Sequence, residues 1–168
     1  VVGGTEWVKT LEGTTDIAKA EEKGKGAYVG TELAGKKLGV IGLGAIGGMV
    51  ANAAISLGMS VMGYDPYITA KAAWSLAPSV KQAADYAEIF KSCDYITLHV
   101  PATPQTKNMI NESSIADMKE GVRILNLSRA DLVNAADIKS AIEGGKVSAY
   151  ITDFPTEETV GVKGIITI

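Results

Sequence analysis

The sequence has little cysteine and little histidine, the residue types that most often build disulfides and metal centres. Its 168 residues include one of each, Cys93 and His99. A single cysteine cannot form a disulfide within the chain, which favours a reducing compartment such as the cytoplasm. We also expect the chain to hold no metal.

Strong charge of one sign is also lacking. The chain carries 16 Lys and Arg residues against 19 Asp and Glu residues, which gives a net charge of −3 and a pI near 5.2. This balance argues against nucleic acid as a partner, because nucleic-acid binding depends on clustered positive charge. Hydrophobic residues make up 46% of the chain and charged residues 21%, a balance that is ordinary for a globular domain.

The longest uncharged stretch, residues 38–64 (LGVIGLGAIGGMVANAAISLGMSVMGY), has the length and hydrophobicity of a membrane span. Its seven glycines argue against one continuous helix, because glycine destabilises a helix interior. The stretch divides more simply into a buried strand over 38–41, a helix over 46–57 that Gly58 ends, and a second strand over 59–64. We therefore expect no membrane span.

The turn between this first strand and the helix has the sequence GLGAIG. A GxGxxG pattern between a strand and a helix is typical of dinucleotide binding. Gly42 allows a sharp turn, Gly44 allows a pyrophosphate to approach the main chain, and Gly47 allows the helix to pack close to the strand. The amides of Ala45 and Ile46 are then expected to face the phosphates from the helix N-terminus.

Asp65 stands at the end of the second strand, about where dinucleotide-binding domains place the acid that binds the adenosine ribose. A carboxylate there accepts hydrogen bonds from both ribose hydroxyls and repels a 2′-phosphate. No arginine follows directly, since the next residue is Pro66. The pattern thus predicts NAD rather than NADP as the cofactor, with Asp65 and Pro66 beside its adenosine half.

The rest of the chain alternates predicted strands and helices. We expect an amphipathic helix over about 5–23 and a surface connection over 24–35. Further helices are expected over about 83–91, 111–121 and 134–144, and further strands over 93–101, 122–128, 146–154 and 164–168. This order predicts an α/β fold of the Rossmann type, a doubly wound, mostly parallel sheet with helices on both faces.

In an open parallel sheet, ligands bind beyond the carboxyl ends of the strands. This rule brings together residues that lie far apart in the sequence. They are Asp65, His99, Val100, Pro101, Ser128, Arg129, Thr152 and Asp153. We expect these residues to form one cluster at that edge.

Several segments resemble one known family. They are GTELAGKKLGVIGLGAIG, GYDPY, DYITLHVPATPQTKNMI, GVRILNLSRADLVN and ITDFPTEE, which together cover the chain from about Thr31 to its end. On these segments the chain is similar to the nucleotide-binding domain of NAD-dependent D-2-hydroxyacid dehydrogenases. The resemblance implies a parent oxidoreductase that transfers hydride between NAD and a D-2-hydroxy acid, with 3-phosphoglycerate as the favoured substrate. It also implies a homodimer or larger homo-oligomer.

The resemblance implies roles for single residues. Ala45 and Ile46 match the family's phosphate-binding pair, and Asp65 matches its ribose-binding acid. The residues that match the segments lining the rest of the cofactor are His99, Val100, Pro101, Thr106, Leu127, Ser128 and Asp153. Arg129 matches the arginine that lies beside the nicotinamide and holds the substrate's carboxylate and carbonyl, a role that suits a permanently charged guanidinium.

The resemblance leaves two candidates for the catalytic acid. In the family, one residue usually separates the Asp that matches Asp153 from the Phe that follows it, whereas here Asp153 and Phe154 are adjacent. Alignment on FPTE therefore selects Glu157, and counting from Asp153 selects Glu158. We favour Glu157. Its expected role is to orient the family's proton-shuttling histidine and raise that histidine's basicity.

The same resemblance implies that parts of the parent enzyme lie outside this chain. The shuttling histidine follows the family's final strand, so His99 is expected to be a pocket or structural residue instead. The substrate-binding halves are also expected elsewhere, and the chain opens with neither Met nor a signal-peptide pattern. We therefore expect residues 1–30 to be an interdomain or dimer-arm segment, and residues 31–168 to be the NAD-binding domain.

Three other functions stay open on the sequence. One is another D-2-hydroxyacid dehydrogenase, of a glycerate or lactate type. The second is a non-catalytic module that senses NAD(H), as in corepressor relatives of the family, whose pocket has the same residues. The third is an S-adenosylmethionine-binding domain, which the full GxGxxG pattern and the HVP segment disfavour.

Overall fold

The computed structural model describes residues 2–168, with side chains from Gly4 onward. Val1, the first residue of the predicted 1–30 segment, lies outside the described residues. The chain forms two compact units, one that ends at Glu32 and one that runs from Leu33 to Ile168.

The first unit contains two short helices, α1 (Val2–Lys9) and α2 (Ile17–Gly24), and a 3-10 turn over Lys25–Tyr28. The predicted single helix over 5–23 is therefore wrong. Its break has a local cause, because Gly13 adopts a φ of +83° and Asp16 caps α2 by accepting a hydrogen bond from the Lys19 amide at 3.1 Å.

The second unit is built on one seven-stranded sheet. Its strands are β1 (Lys37–Ile41), β2 (Ser60–Tyr64), β3 (Lys81–Gln82), β4 (Tyr95–Leu98), β5 (Val122–Asn126), β6 (Val147–Thr152) and β7 (Ile165–Thr167). Their order is β3-β2-β1-β4-β5-β6-β7, and every strand pair is parallel. The predicted Rossmann-type fold is confirmed.

Helices cover both faces of this sheet. They are α3 (Ala45–Ser56), α4 (Ala70–Trp74), α5 (Tyr86–Ser92), α6 (Glu112–Ala116) and α7 (Ala135–Glu143), with a 3-10 turn at Ala130–Leu132. Val40 and Ala51 belong to the apolar cluster beneath α3, whereas Ile89, Ile96 and Ile138 belong to the larger cluster beneath α5, α6 and α7. Because both faces are covered, the central strands are mostly apolar.

The helix caps follow the sequence signals. Asn111 and Ser114 form a reciprocal capping box at α6, and Asn134 accepts hydrogen bonds from the first amides of α7 at 3.1 and 3.2 Å. Gly58 follows α3 with a φ of +79°. Helix α4 and strand β3 were not predicted, because they are short and β3 consists of two exposed polar residues.

The uncharged stretch of residues 38–64 folds as β1, α3 and β2, as predicted. Helix α3 has 12 residues. Within residues 2–168, no helix has both the length and the hydrophobicity that crossing a bilayer requires.

Candidate functional site

The carboxyl ends of the strands meet along one edge of the sheet. The pairing register aligns Tyr64 of β2 with Ile41 of β1, Ile41 with Leu98 of β4, and Leu98 with Asn126 of β5. Asn126 in turn aligns with Thr152 of β6. The segments after these residues therefore lie side by side, at steps of about 4.8 Å. The strand order reverses between β1 and β4, which is the switch point where open α/β sheets bind ligands.

The glycine turn lies at this switch point. Gly42 has a φ of +91°, and a Cβ there would lie 2.6 Å from the carbonyl oxygen of His99. A Cβ at Gly47 would overlap the carbonyl oxygen of Gly42. The first turn of α3 therefore packs directly against the main chain of the strand end, as the motif predicts.

The outer side of this turn is open. Gly44, Ala45 and Ile46 are exposed, whereas Gly42 and Gly47 are buried. A Cβ at Gly44 would meet no atom within 4 Å, and no side chain caps the helix at that position. The first turn of α3 also lacks an acidic residue. The N-terminus of α3 thus carries a partial positive charge next to the open space at Gly44.

Asp65 is held next to this turn by two main-chain amides. Its Oδ2 accepts a hydrogen bond from the Leu43 amide at 2.9 Å, and its Oδ1 accepts one from the Tyr67 amide at 2.9 Å. The second of these bonds spans the exposed Pro66. The carboxylate is therefore fixed in direction, and each oxygen keeps a lone pair for a further donor.

His99 lies beneath the glycine turn. Its amide donates to the carbonyl of Ile41 at 2.7 Å, and its Nε2 lies 3.0 Å from the hydroxyl of Thr97. Burial lowers the pKa of His99, which favours the neutral imidazole. Val100 also packs against the turn, since its Cγ1 would lie 2.9 Å from a Cβ at Gly42.

Thr106 organises the loop that follows β4. Its hydroxyl donates to the carbonyl of Pro101 at 2.7 Å and accepts from the amide of Thr103 at 2.8 Å. The side chain is buried within its own loop. It thereby fixes the position of Pro101, which is exposed.

The segment after β5 carries Leu127, Ser128 and Arg129. The Ser128 hydroxyl donates to the carbonyl of Leu98 at 2.7 Å, which ties this segment to the end of β4. Leu127 and Arg129 are exposed. The Arg129 Nη1 donates to the carbonyl of Ser128 at 2.6 Å, which leaves other donors of the guanidinium for a ligand.

The segment after β6 begins with a tight turn. The buried Thr152 hydroxyl accepts a hydrogen bond from the Phe154 amide at 3.0 Å, and Asp153 is exposed between them. Glu157 and Glu158 lie in the exposed turn that follows. Hydrogen bonds from its own amide and from the Thr156 hydroxyl lower the pKa of Glu158.

Sequence reasoning missed two buried polar residues at this edge. They are Thr97, the partner of His99, and Asn126, whose amide contacts the Arg129 main chain. The available signal is a polar residue within or at the end of an apolar strand, and this pattern does not show whether the side chain is buried. In the part of the chain that the structure describes, no group of three or more His, Cys, Asp or Glu residues is arranged to hold a metal ion.

Comparison with known proteins identifies the family. Residues 5–163 match the model of the D-isomer specific 2-hydroxyacid dehydrogenase, NAD binding domain. The chain belongs to this family. The match confirms the predicted resemblance, and it confirms NAD as the cofactor of the domain family.

Individual proteins similar to this 2-hydroxyacid dehydrogenase domain agree with the family match. The chain is 38% identical over 146 residues to D-3-phosphoglycerate dehydrogenase of Bacillus subtilis, and this alignment covers 86% of the chain and 27% of the relative. It is 39% identical over 150 residues to that of Methanocaldococcus jannaschii, which covers 89% and 28%. The chain thus spans about a quarter of the length of these curated relatives.

A solved structure supports the same fold. The D-lactate dehydrogenase from Escherichia coli superposes with a TM-score of 0.74 at 26% identity. The superposition covers 99% of this chain and 53% of that chain.

Stability should depend on the protonation of His99. The folded pKa lies below the ordinary value of 6.5, so the unfolded chain binds the extra proton and native stability falls as the pH drops through about 6.5. Because His99 is the only histidine, we expect urea midpoints between about pH 7.5 and 5.5 to fall more in the wild type than in His99→Gln. Equal pH dependence in the two proteins would contradict this expectation.

Proposed function

We propose that this chain binds NAD at the carboxyl edge of its sheet, and that its parent protein oxidises D-3-phosphoglycerate. The observation that carries the proposal is the open, uncapped N-terminus of α3 at the switch point, with the Asp65 carboxylate fixed beside it. The relatives from Bacillus subtilis and Methanocaldococcus jannaschii are both named D-3-phosphoglycerate dehydrogenase, which supports the choice of D-3-phosphoglycerate as the substrate.

The turn at α3 suits the diphosphate of NAD. Gly44 leaves room for a phosphate to reach the main chain, and the amides of the exposed residues Ala45 and Ile46 donate hydrogen bonds there in our proposal. The helix N-terminus carries about half a positive elementary charge, which favours an anion. The close packing of Gly42 and Gly47 keeps these amides in place.

Asp65 suits the adenosine ribose. Its oxygens each accept one main-chain amide and can each accept a ribose hydroxyl as well. A 2′-phosphate would bring further negative charge next to a carboxylate, so we propose selectivity for NAD over NADP. Pro66 shapes the turn that holds the carboxylate.

The loops after β4, β5 and β6 suit the nicotinamide half. In this proposal His99, Val100 and Pro101 line one side, with Thr106 fixing their loop. Leu127, Ser128 and Asp153 line the other side. The exposed apolar side chain of Leu127 offers a surface for a ring, and Asp153 offers an acceptor for an amide.

When bound, NAD supplies the acceptor for the hydride. Arg129 holds the substrate's carboxylate and polarises its C2 oxygen as charge develops there. Glu157 orients a histidine from the rest of the protein and raises that histidine's basicity. We prefer Glu157 to Glu158, because alignment on FPTE selects Glu157.

We further propose that the parent is a cytoplasmic homo-oligomer. Cys93, the single cysteine, is buried, and burial raises the pKa of its thiol. A protonated, buried thiol is compatible with a reducing compartment. Sedimentation velocity of the full-length protein would measure the oligomeric state.

Gly44→Ala should weaken NAD binding without destabilising the fold. The added Cβ meets no protein atom within 4 Å but occupies the space proposed for a phosphate, so we expect at least a tenfold rise in the NADH dissociation constant. Gly30→Ala is the matched control, since its Cβ also meets no atom within 4 Å. Fluorescence titration and thermal melts measure both variants, and unchanged affinity in Gly44→Ala would refute the diphosphate site.

The chain alone should bind NADH and yet be nearly inactive. We expect its turnover of D-3-phosphoglycerate to lie at least 10²-fold below that of the full-length protein, because loss of general acid–base help alone costs about 10²–10⁴ in rate. Robust turnover by the chain would contradict this. Full-length activity on D-lactate or D-glycerate instead would reassign the substrate, and NADH binding without turnover would favour a sensor.

Glu157→Gln and Glu158→Gln should separate the two candidate acids. In the full-length protein we expect Glu157→Gln to lower kcat at least tenfold and to shift the pH profile, since it removes the charge that raises the basicity of the histidine. Glu158→Gln should change kcat less than twofold. The reverse order would assign the role to Glu158.

A further inference from the structure

Asn126 is the last residue of β5 and is fully buried at 0% exposure. The strand before it is otherwise mostly apolar (VRIL). A buried amide costs free energy unless its donors and acceptor are satisfied. Among the described residues, every buried polar side-chain atom has a hydrogen-bond partner.

The Asn126 side chain makes most of its hydrogen bonds with the segment that carries Arg129. Its Nδ2 donates to the carbonyl of Arg129 at 2.9 Å and to the hydroxyl of Tyr150 at 3.3 Å. Its Oδ1 accepts from the amides of Ser128 at 3.3 Å and Arg129 at 3.4 Å. One buried side chain thus contacts both the N–H and the C=O of Arg129.

These contacts fix the main chain of Arg129 relative to the sheet. Tyr150 lies on β6 and is itself buried. The Asn126 amide therefore contacts the neighbouring strand as well as the segment that follows its own strand. The Ser128 hydroxyl anchors the same segment to β4. By contrast, the Arg129 side chain is exposed, and its Nη1 donates to the neighbouring carbonyl of Ser128.

We infer that Asn126 is a positioning residue, which holds the main chain of Arg129 so that the guanidinium meets the substrate's carboxylate in one orientation. This rests on the proposed function of Arg129. A bidentate contact between a guanidinium and a carboxylate depends on direction, and displacement by about 1 Å can cost 10²-fold in rate. Asn126 supplies this direction without contacting the substrate.

The test compares variants of the full-length protein. Asn126→Asp keeps the acceptor and removes the donation to Arg129. Asn126→Ser adds no charge, in case the first variant does not fold, and its shorter side chain withdraws both contacts with Arg129. Tyr150→Phe is the matched control, because it removes only the 3.3 Å contact and leaves Arg129 held. The readouts are kcat/KM for D-3-phosphoglycerate and the dissociation constant of NADH.

We expect Asn126→Asp or Asn126→Ser to lower kcat/KM about 10- to 100-fold, with the NADH dissociation constant within about twofold of wild type. Tyr150→Phe should stay within about threefold. In an Arg129→Ala background, the Asn126 change should cost less than about twofold, because it acts through Arg129. A full additional loss in that background, or an equal loss of NADH affinity, would overturn the inference.

A second readout needs no turnover. In Asn126→Ser we expect the Arg129 amide to exchange its hydrogen at least tenfold faster than in Tyr150→Phe. Equal exchange would overturn the positioning role. If the wild type binds NADH but does not oxidise D-3-phosphoglycerate, the proposed function fails on that result alone, while the exchange rates still decide whether Asn126 holds Arg129.

Discussion

The site depends on one contact between two stretches of bare main chain. Helix α3 can begin where it does only because Gly47 lies against the carbonyl of Gly42, a place where any side chain would overlap that oxygen. Gly42 in turn must adopt a left-handed conformation beside His99. With this contact made, α3 begins at the sheet edge with exposed residues, and its N-cap position carries no side-chain cap.

Around this contact, the segments after β2, β4 and β5 each hold one fixed polar group. Asp65 is held by two amides, Ser128 is bound to the end of β4, and Thr106 folds the loop after β4 onto itself. The polar residues that fix the segments are buried or half-buried, whereas Leu127, Arg129 and Asp153 are exposed. The edge thus combines a rigid inner layer with an outer layer that is free to meet a ligand.

Local rules were enough to predict much of this arrangement. The GLGAIG turn and the caps at Asn111 and Asn134 depend on neighbours in the sequence, and the parallel order then predicts which strand ends meet. Asn126 could not be predicted, because a polar residue ending a strand has the same sequence pattern whether it faces water or the core. The helix over 5–23 was wrong, because its amphipathic pattern continues across the turn at Gly13.

The parallel pairing of the strands has a consequence for how the chain folds. The strands that meet at this edge are distant in sequence, and such non-local pairing forms slowly. A molecule in which these strands are not yet paired therefore lacks the sheet edge that forms the candidate site. A nucleotide can protect only the finished sheet, by about 2.7 kcal/mol at a hundredfold excess over its dissociation constant, and a nascent chain must reach that state without its help.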